Sequence, residues 1–110
     1  NIALDNGALN NERENDKIDK KRVWWVEAES VVGFINAYQH SGEKKFLESA
    51  RSVWDYIKAE MIDKREGSEW YSEVSYDHKP HDWKEIVGPW KCPYHNGRMC
   101  MEVINRGVDF

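Results

Sequence analysis

Between Gly88 and Arg98 the chain gathers Trp90, Lys91, Cys92, Tyr94, His95 and Arg98, framed by Pro89 and Pro93. The prolines stiffen the stretch and hold the residues before them extended, so Trp90 and Tyr94 are presented on a shaped loop. Asn96 is a favourable N-cap, and Met99, Cys100, Val103 and Ile104 fall on one face of a helix running to about Asn105. That places His95 just before a helix N-terminus, where partial positive charge favours a neutral imidazole able to take a proton. The plainer alternative is a histidine that only caps or packs. The neighbouring Trp and Tyr tip the reading toward a sugar site, because the C–H face of a pyranose packs on an aromatic ring. Cys92, His95 and Cys100 contain metal-ligand types, but the recognised zinc spacings need a second pair and none is visible. No metal or cofactor site is therefore read from the residues, and His40, His78 and His81 read as scattered surface positions.

These side chains need elements to position them. Residues 1–21 carry turn formers and charges without periodicity and read as a polar loop, with a turn near Gly7 and a solvated basic run from Lys17 to Arg22. Residues 22–63 read as a helical hairpin. Ala28, Val31, Val32, Ile35 and Tyr38 fall at helical spacing behind Trp24 and Trp25, and Gly42 stops the first helix. Phe46, Leu47, Ala50, Val53, Trp54, Ile57 and Met61 form the apolar stripe of the second, with Trp54 expected in the core. The Ser41-Gly42 connection is short enough to require an antiparallel pair. Glu69 to Tyr76 alternates as a strand, Asp77-His78-Lys79-Pro80 turns the chain, and residues 67–95 are expected to hold a β-hairpin and the motif loop. Residues 96–105 are the last helix. Glu29 follows Trp25 by one turn beside Val32, which puts a carboxylate on an apolar stripe. Either a salt bridge to Arg98 or a substrate hydroxyl explains it.

Trp90-Lys91-Cys92-Pro93-Tyr94-His95-Asn96-Gly97-Arg98, Trp24-Trp25-Val26-Glu27-Ala28-Glu29 and Gly67-Ser68-Glu69-Trp70-Tyr71 together resemble the N-acylglucosamine 2-epimerase family, in its cellobiose (mannobiose) 2-epimerase branch. The resemblance runs from about Gly7 to Ile104. It implies a mainly α fold, the C-terminal part of an (α/α)6 barrel. It also implies cofactor-independent epimerisation at C2 of a reducing-end sugar through an enediolate. By the same resemblance His95 matches a general acid/base histidine, Trp24, Trp25 and Trp90 match aromatic residues around the sugar, and Glu29 matches a polar site residue, with Arg98 beside it. A second histidine, its supporting acid and an arginine of the family's site belong to earlier helices. Glu27 stands where family members commonly carry an uncharged amide.

The chain has 110 residues with 40% hydrophobic and 13% aromatic side chains, ample for one packed domain. Sixteen basic residues against 20 acidic ones leave no cationic cluster for nucleic acid. No run approaches the ~20 apolar residues of a membrane span, and no signal-peptide pattern is present. Two cysteines do not make a disulfide framework. A soluble protein of the cytoplasm is expected. The chain opens at Asn1 on polar sequence, as expected of a piece of something larger that needs the remainder of a barrel or self-association to cover its flanks. Two other functions compete with a cellobiose-type epimerase: a non-enzymatic sugar-binding or self-associating helical module, and an N-acylglucosamine 2-epimerase.

Overall fold

A computed structural model describes residues 3–110. The polar N-terminal segment is not a loop but two β-hairpins. Strand β1 (Leu4–Asp5) pairs antiparallel with β2 (Ala8–Leu9), and β3 (Glu12–Glu14) with β4 (Lys17–Asp19). Asn6 and Gly7, at φ 53° and 85°, link the first; Asn15 and Asp16, at φ 47° and 64°, link the second. Positive φ at both central residues is the demand of a type I′ turn, and Asn, Asp and Gly tolerate it. Strands this short leave no periodicity to read. The basic run is likewise not a solvated loop: it contains β4, and Arg22 is 1% exposed. Its guanidinium donates to Asn10 Oδ1 at 2.7 Å and to the Asp5 carbonyl at 2.5 Å, which ties the first hairpin to the helical body.

Arg22 and Val23 form β5, and helix α1 follows at once, Trp24–Ser41. Gly42, at φ 73°, closes α1 in a left-handed C-cap whose N–H donates to the Tyr38 carbonyl at 2.8 Å. Helix α2 (Lys44–Tyr56) folds back on α1, and helix α3 (Tyr94–Asn105) packs on α1 as well. Held between two helices, α1 buries Ala28, Val31, Val32 and Ile35. They meet Ala50, Val53, Tyr56, Ile57 and Met61 from the second arm, Val74, and Met99 from α3. Each large aliphatic side chain removed from water this way contributes ~1.5–3 kcal/mol. Trp54 is only partly buried against this core, not within it.

The second arm ends in a π-helical turn, Ile57–Met61, closed by the Ile62 N–H on the Ile57 carbonyl at 3.0 Å. The chain then passes an isolated Ile62–Trp70 bridge to β6 (Glu73–Val74). The expected hairpin over 67–95 is not formed as such. β6 pairs with β5, in the register Arg22 to Val74 and Val23 to Glu73, and only an isolated Val74–Pro80 bridge follows the turn. The Trp24 N–H continues this ladder onto the Ser72 carbonyl at 3.0 Å, so the first residue of α1 is fixed to the 62–76 segment. The last helix begins at Tyr94, two residues before the expected start. Asn96 is therefore inside it and caps nothing. No helix among the described residues is long and apolar enough to cross a membrane.

Candidate functional site

His95 sits in the first turn of α3 rather than before it. His95 and Arg98 are spaced i, i+3 and share a face of α3, as Trp25 and Glu29, spaced i, i+4, share a face of α1. Where the helices meet, Glu29 lies between the other two. Its Oε1 is 2.9 Å from His95 Nδ1, and its Oε2 accepts from Arg98 Nη1 at 2.7 Å. An ionised carboxylate only accepts, so Nδ1 carries the proton of the neutral ring and Nε2 is left as the acceptor. All three side chains are about one-third exposed, open to a ligand yet held by one another. Of the two expected roles for Glu29, the ion pair with Arg98 is formed, with His95 as a second partner.

Three aromatic rings surround the imidazole. Tyr94 stands edge-on at 5.0 Å between centroids, Trp25 is tilted at 5.9 Å, and Trp24 is edge-on at 6.5 Å. The Trp24 indole Nε1 is buried without a hydrogen-bond partner among the described residues. Trp90 stands apart from this group. It is 91% exposed on the Gly88–Lys91 turn and borders an open groove whose other walls include Trp24, Trp83 and Lys91. Trp24 is thus the wall shared by the groove and the imidazole cluster.

Several polar residues around the site were given no such contacts by the sequence. Lys91 is 5% exposed; its Nζ donates to Glu69 Oε2 and to the Ile86 carbonyl at 2.8 Å, and lies 5.7 Å from the Trp24 ring centre. Asn96 Nδ2 donates to the other Glu69 oxygen. The fully buried carboxylate of α1 is Glu27, not Glu29, which is one-third exposed. Its Oε2 accepts the Leu9 N–H at 3.0 Å while Oε1 has no partner among the described residues, and burial pushes its carboxyl up to about 7. The signal was present: Glu27 precedes Val31 by four residues and so lies on the core stripe. His81 is not a loose surface residue, because its Nδ1 lies 3.1 Å from Glu73 Oε1 and its ring packs on Trp83 at 4.4 Å. Glu73 also meets Lys84 at 2.6 Å and Lys21 at 3.4 Å. Burial opposes its charge, but these partners outweigh it and hold the carboxyl below the usual range. Cys92 and Cys100 are both free and exposed. Among the described residues no three His, Cys, Asp or Glu side chains are grouped to hold a metal ion.

A histidine held by a carboxylate between aromatic rings thus lies at the junction of two helices, in a fold that is mainly helical. The family model of N-acylglucosamine 2-epimerase (GlcNAc 2-epimerase) matches residues 3–97, and the chain belongs to that family. It is 78% identical over 108 residues to the cellobiose 2-epimerase of Ruminococcus albus, covering 98% of this chain and 28% of that protein. It is 49% identical over 104 residues to the cellobiose 2-epimerase of Dictyoglomus turgidum, covering 94% and 26%. The fold superposes on the crystal structure of a sugar epimerase from a ruminal bacterium with a TM-score of 0.96 and 77% identity, over 99% of this chain and 28% of that one. On the cellobiose 2-epimerase of Bacillus thermoamylovorans the TM-score is 0.89 at 54% identity, over 92% and 26%. A D-mannose isomerase, at 23% identity and a TM-score of 0.82, shares the fold. The chain thus spans little more than a quarter of the length of these relatives.

Proposed function

We propose that these residues supply one half of the active site of a sugar 2-epimerase acting on a β-1,4-linked disaccharide of the cellobiose or mannobiose type. The observation that carries the reading is the Glu29–His95 pair, which holds the imidazole among Trp24, Trp25 and Tyr94. After the sugar ring opens, a base removes the proton at C2, α to the aldehyde, to give an enediolate. Return of a proton on the opposite face inverts the centre. His95 is the acid/base group for one face. The group for the other face and the remaining helices of an (α/α)6 barrel lie outside these 110 residues, as does any arginine that steadies the enediolate. Trp24 and Trp25 hold the reacting sugar beside His95, Trp90 stacks on the substrate from the groove, and Arg98 keeps Glu29 aimed at the imidazole. The family membership and the names of the relatives support this reading over a non-enzymatic binding module. The cellobiose-acting relatives support it over an N-acetylated monosaccharide.

The test exchanges this chain for the matching segment of the R. albus cellobiose 2-epimerase. The chimera is expected to convert cellobiose to its C2 epimer and to exchange the C2 proton with solvent deuterium. His95→Asn should lower conversion by a factor of about 100 or more, the contribution of a positioned acid/base group. A folded chimera that binds cellobiose, read by tryptophan fluorescence, but exchanges no proton would favour the binding module instead.

A further inference from the structure

The proposed chemistry uses His95, Glu29 and Arg98, yet a second ionic group lies beside them and takes no part in it. Lys91 is 5% exposed and faces Glu69, whose two oxygens are divided between the Lys91 ammonium and the Asn96 amide. Two segments distant in sequence meet there: the Gly67–Tyr71 stretch, and the motif loop as it runs into the first turn of α3. Burying an ammonium and a carboxylate together seldom stabilises a fold over an apolar pair of the same size. Stability alone therefore does not account for them. What the group does contact is informative. Asn96 is the neighbour of His95 on α3, and the Lys91 ammonium lies 5.7 Å from the ring centre of Trp24, whose own ring meets the imidazole. The Lys91 ammonium also donates to the Ile86 carbonyl at 2.8 Å, which anchors it to the loop.

We infer that Lys91, Glu69 and Asn96 are positioning residues for the acid/base histidine: Glu69 clamps the first turn of α3 through Asn96, and Lys91 fixes the Trp24 ring against His95. None of the three enters the proton transfer. The inference rests on the epimerase reading above. It adds that His95 is set in place from below by the part-buried Lys91–Glu69 pair as well as from the side by Glu29. Glu29 orients the ring about Nδ1, whereas the Lys91–Glu69–Asn96 group fixes where the backbone of His95 stands relative to the two tryptophans.

The experiment uses the R. albus chimera with Lys91→Met, Lys91→Arg, and the double variant Lys91→Met/Glu69→Leu, which removes both charges and so leaves no unpaired ion if the single change unfolds. Each is assayed well below its melting temperature, with the folded fraction fixed by circular dichroism. Lys91→Met and the double variant should lower kcat about tenfold or more with KM within about twofold, and Lys91→Arg should restore most of it. A second readout separates positioning from general loosening. Because His95 serves one face of C2, solvent deuterium exchange should fall much further for one epimer than for the other. Equal losses for both epimers, or a folded double variant with unchanged kcat, would overturn the assignment. A chimera with native Lys91, Glu69 and Asn96 that shows neither epimerisation nor exchange would overturn the epimerase reading itself, and this inference with it.

Discussion

Glu27→Gln isolates one buried titration. Glu27 is wholly buried in the first turn of α1, with one oxygen on the Leu9 N–H and the other unpartnered among the described residues. Desolvation raises its carboxyl from the ordinary 4.5 to about 7, against the opposing pull of the Leu9 N–H and the Arg22 charge. Below the ordinary value both folded and unfolded chains hold the proton. As the pH climbs from there, the unfolded chain ionises while the folded one stays neutral, so stability is lost with rising pH until about 7 and then levels. The gap between 4.5 and about 7 corresponds to a loss of about 3 kcal/mol, at about 1.36 kcal/mol per unit. Glutamine cannot ionise and keeps an acceptor for Leu9. Glu27→Gln should therefore leave stability near pH 4.5 within about 1 kcal/mol and raise it by about 2–3 kcal/mol at about pH 7.5. Asp5, Asp19, Glu73 and Asp77 are all shifted downward, so their contributions change below this window rather than within it. Urea unfolding followed by far-ultraviolet circular dichroism across that range reads the difference. Parallel pH profiles for the two proteins would show that Glu27 is not the buried neutral acid described here.

Glu29→Gln in the chimera should lower kcat about tenfold or more with a small change in KM, because the amide no longer holds Nδ1–H as a carboxylate does; steady-state kinetics on cellobiose check it. Trp54→Ala should cost about 2 kcal/mol in a chemical melt, less than a full core truncation because the ring is only partly buried. Trp90→Ala, at 91% exposure, should leave the melt unchanged and raise KM. Asp63 accepts from Arg65 through both oxygens and from Ser68 at 2.6 Å, and Arg65 holds its carboxyl far below the ordinary 3.8. Its contribution is present above that value and is lost progressively on acidification below it, so Asp63→Asn should destabilise at about pH 7 by about 1 kcal/mol and by steadily less as the pH falls below 3.8, measured by thermal melts.

How much of this was legible follows the range of the interactions. Helix spacing is local, so the stripe of α1, the stripe of the second arm and the face of α3 that holds Met99 and Val103 could be read directly, whereas His95 was expected just outside that helix. The ionic partners are not local. Glu29 finds His95 and Arg98 across 66 and 69 residues, and Lys91 finds Glu69 across 22. A lone strand pattern at Glu69 to Tyr76 likewise gives no partner, and proximity suggested the wrong one: β5 lies far upstream but just before α1, where pairing fixes Trp24. The Asn6-Gly7 dipeptide was a readable hairpin signal, whereas strands of two or three residues gave no alternation to support it. Asn96 shows the limit of residue preference. It is a good N-cap by type, but Glu69 engages its side chain and the helix starts before it.

The two acids of α1 show how one helix divides structure from chemistry. Residues two apart lie about 200° around the axis, so Glu27 and Glu29 face opposite sides. Glu27 faces the N-terminal hairpin, whose Leu9 N–H it accepts; Glu29 faces α3, where it meets an imidazole and a guanidinium. Neither shares a partner with the other. Energies of groups without shared partners add, so the Glu27→Gln/Glu29→Gln double variant of the chimera should show the stability profile of the first change and the turnover of the second, each within experimental error. A turnover loss that depends on Glu27 would mean that the hairpin and the imidazole are coupled through α1. In that case the helix is a transmitter between them and not a rigid post that holds each acid to its own task.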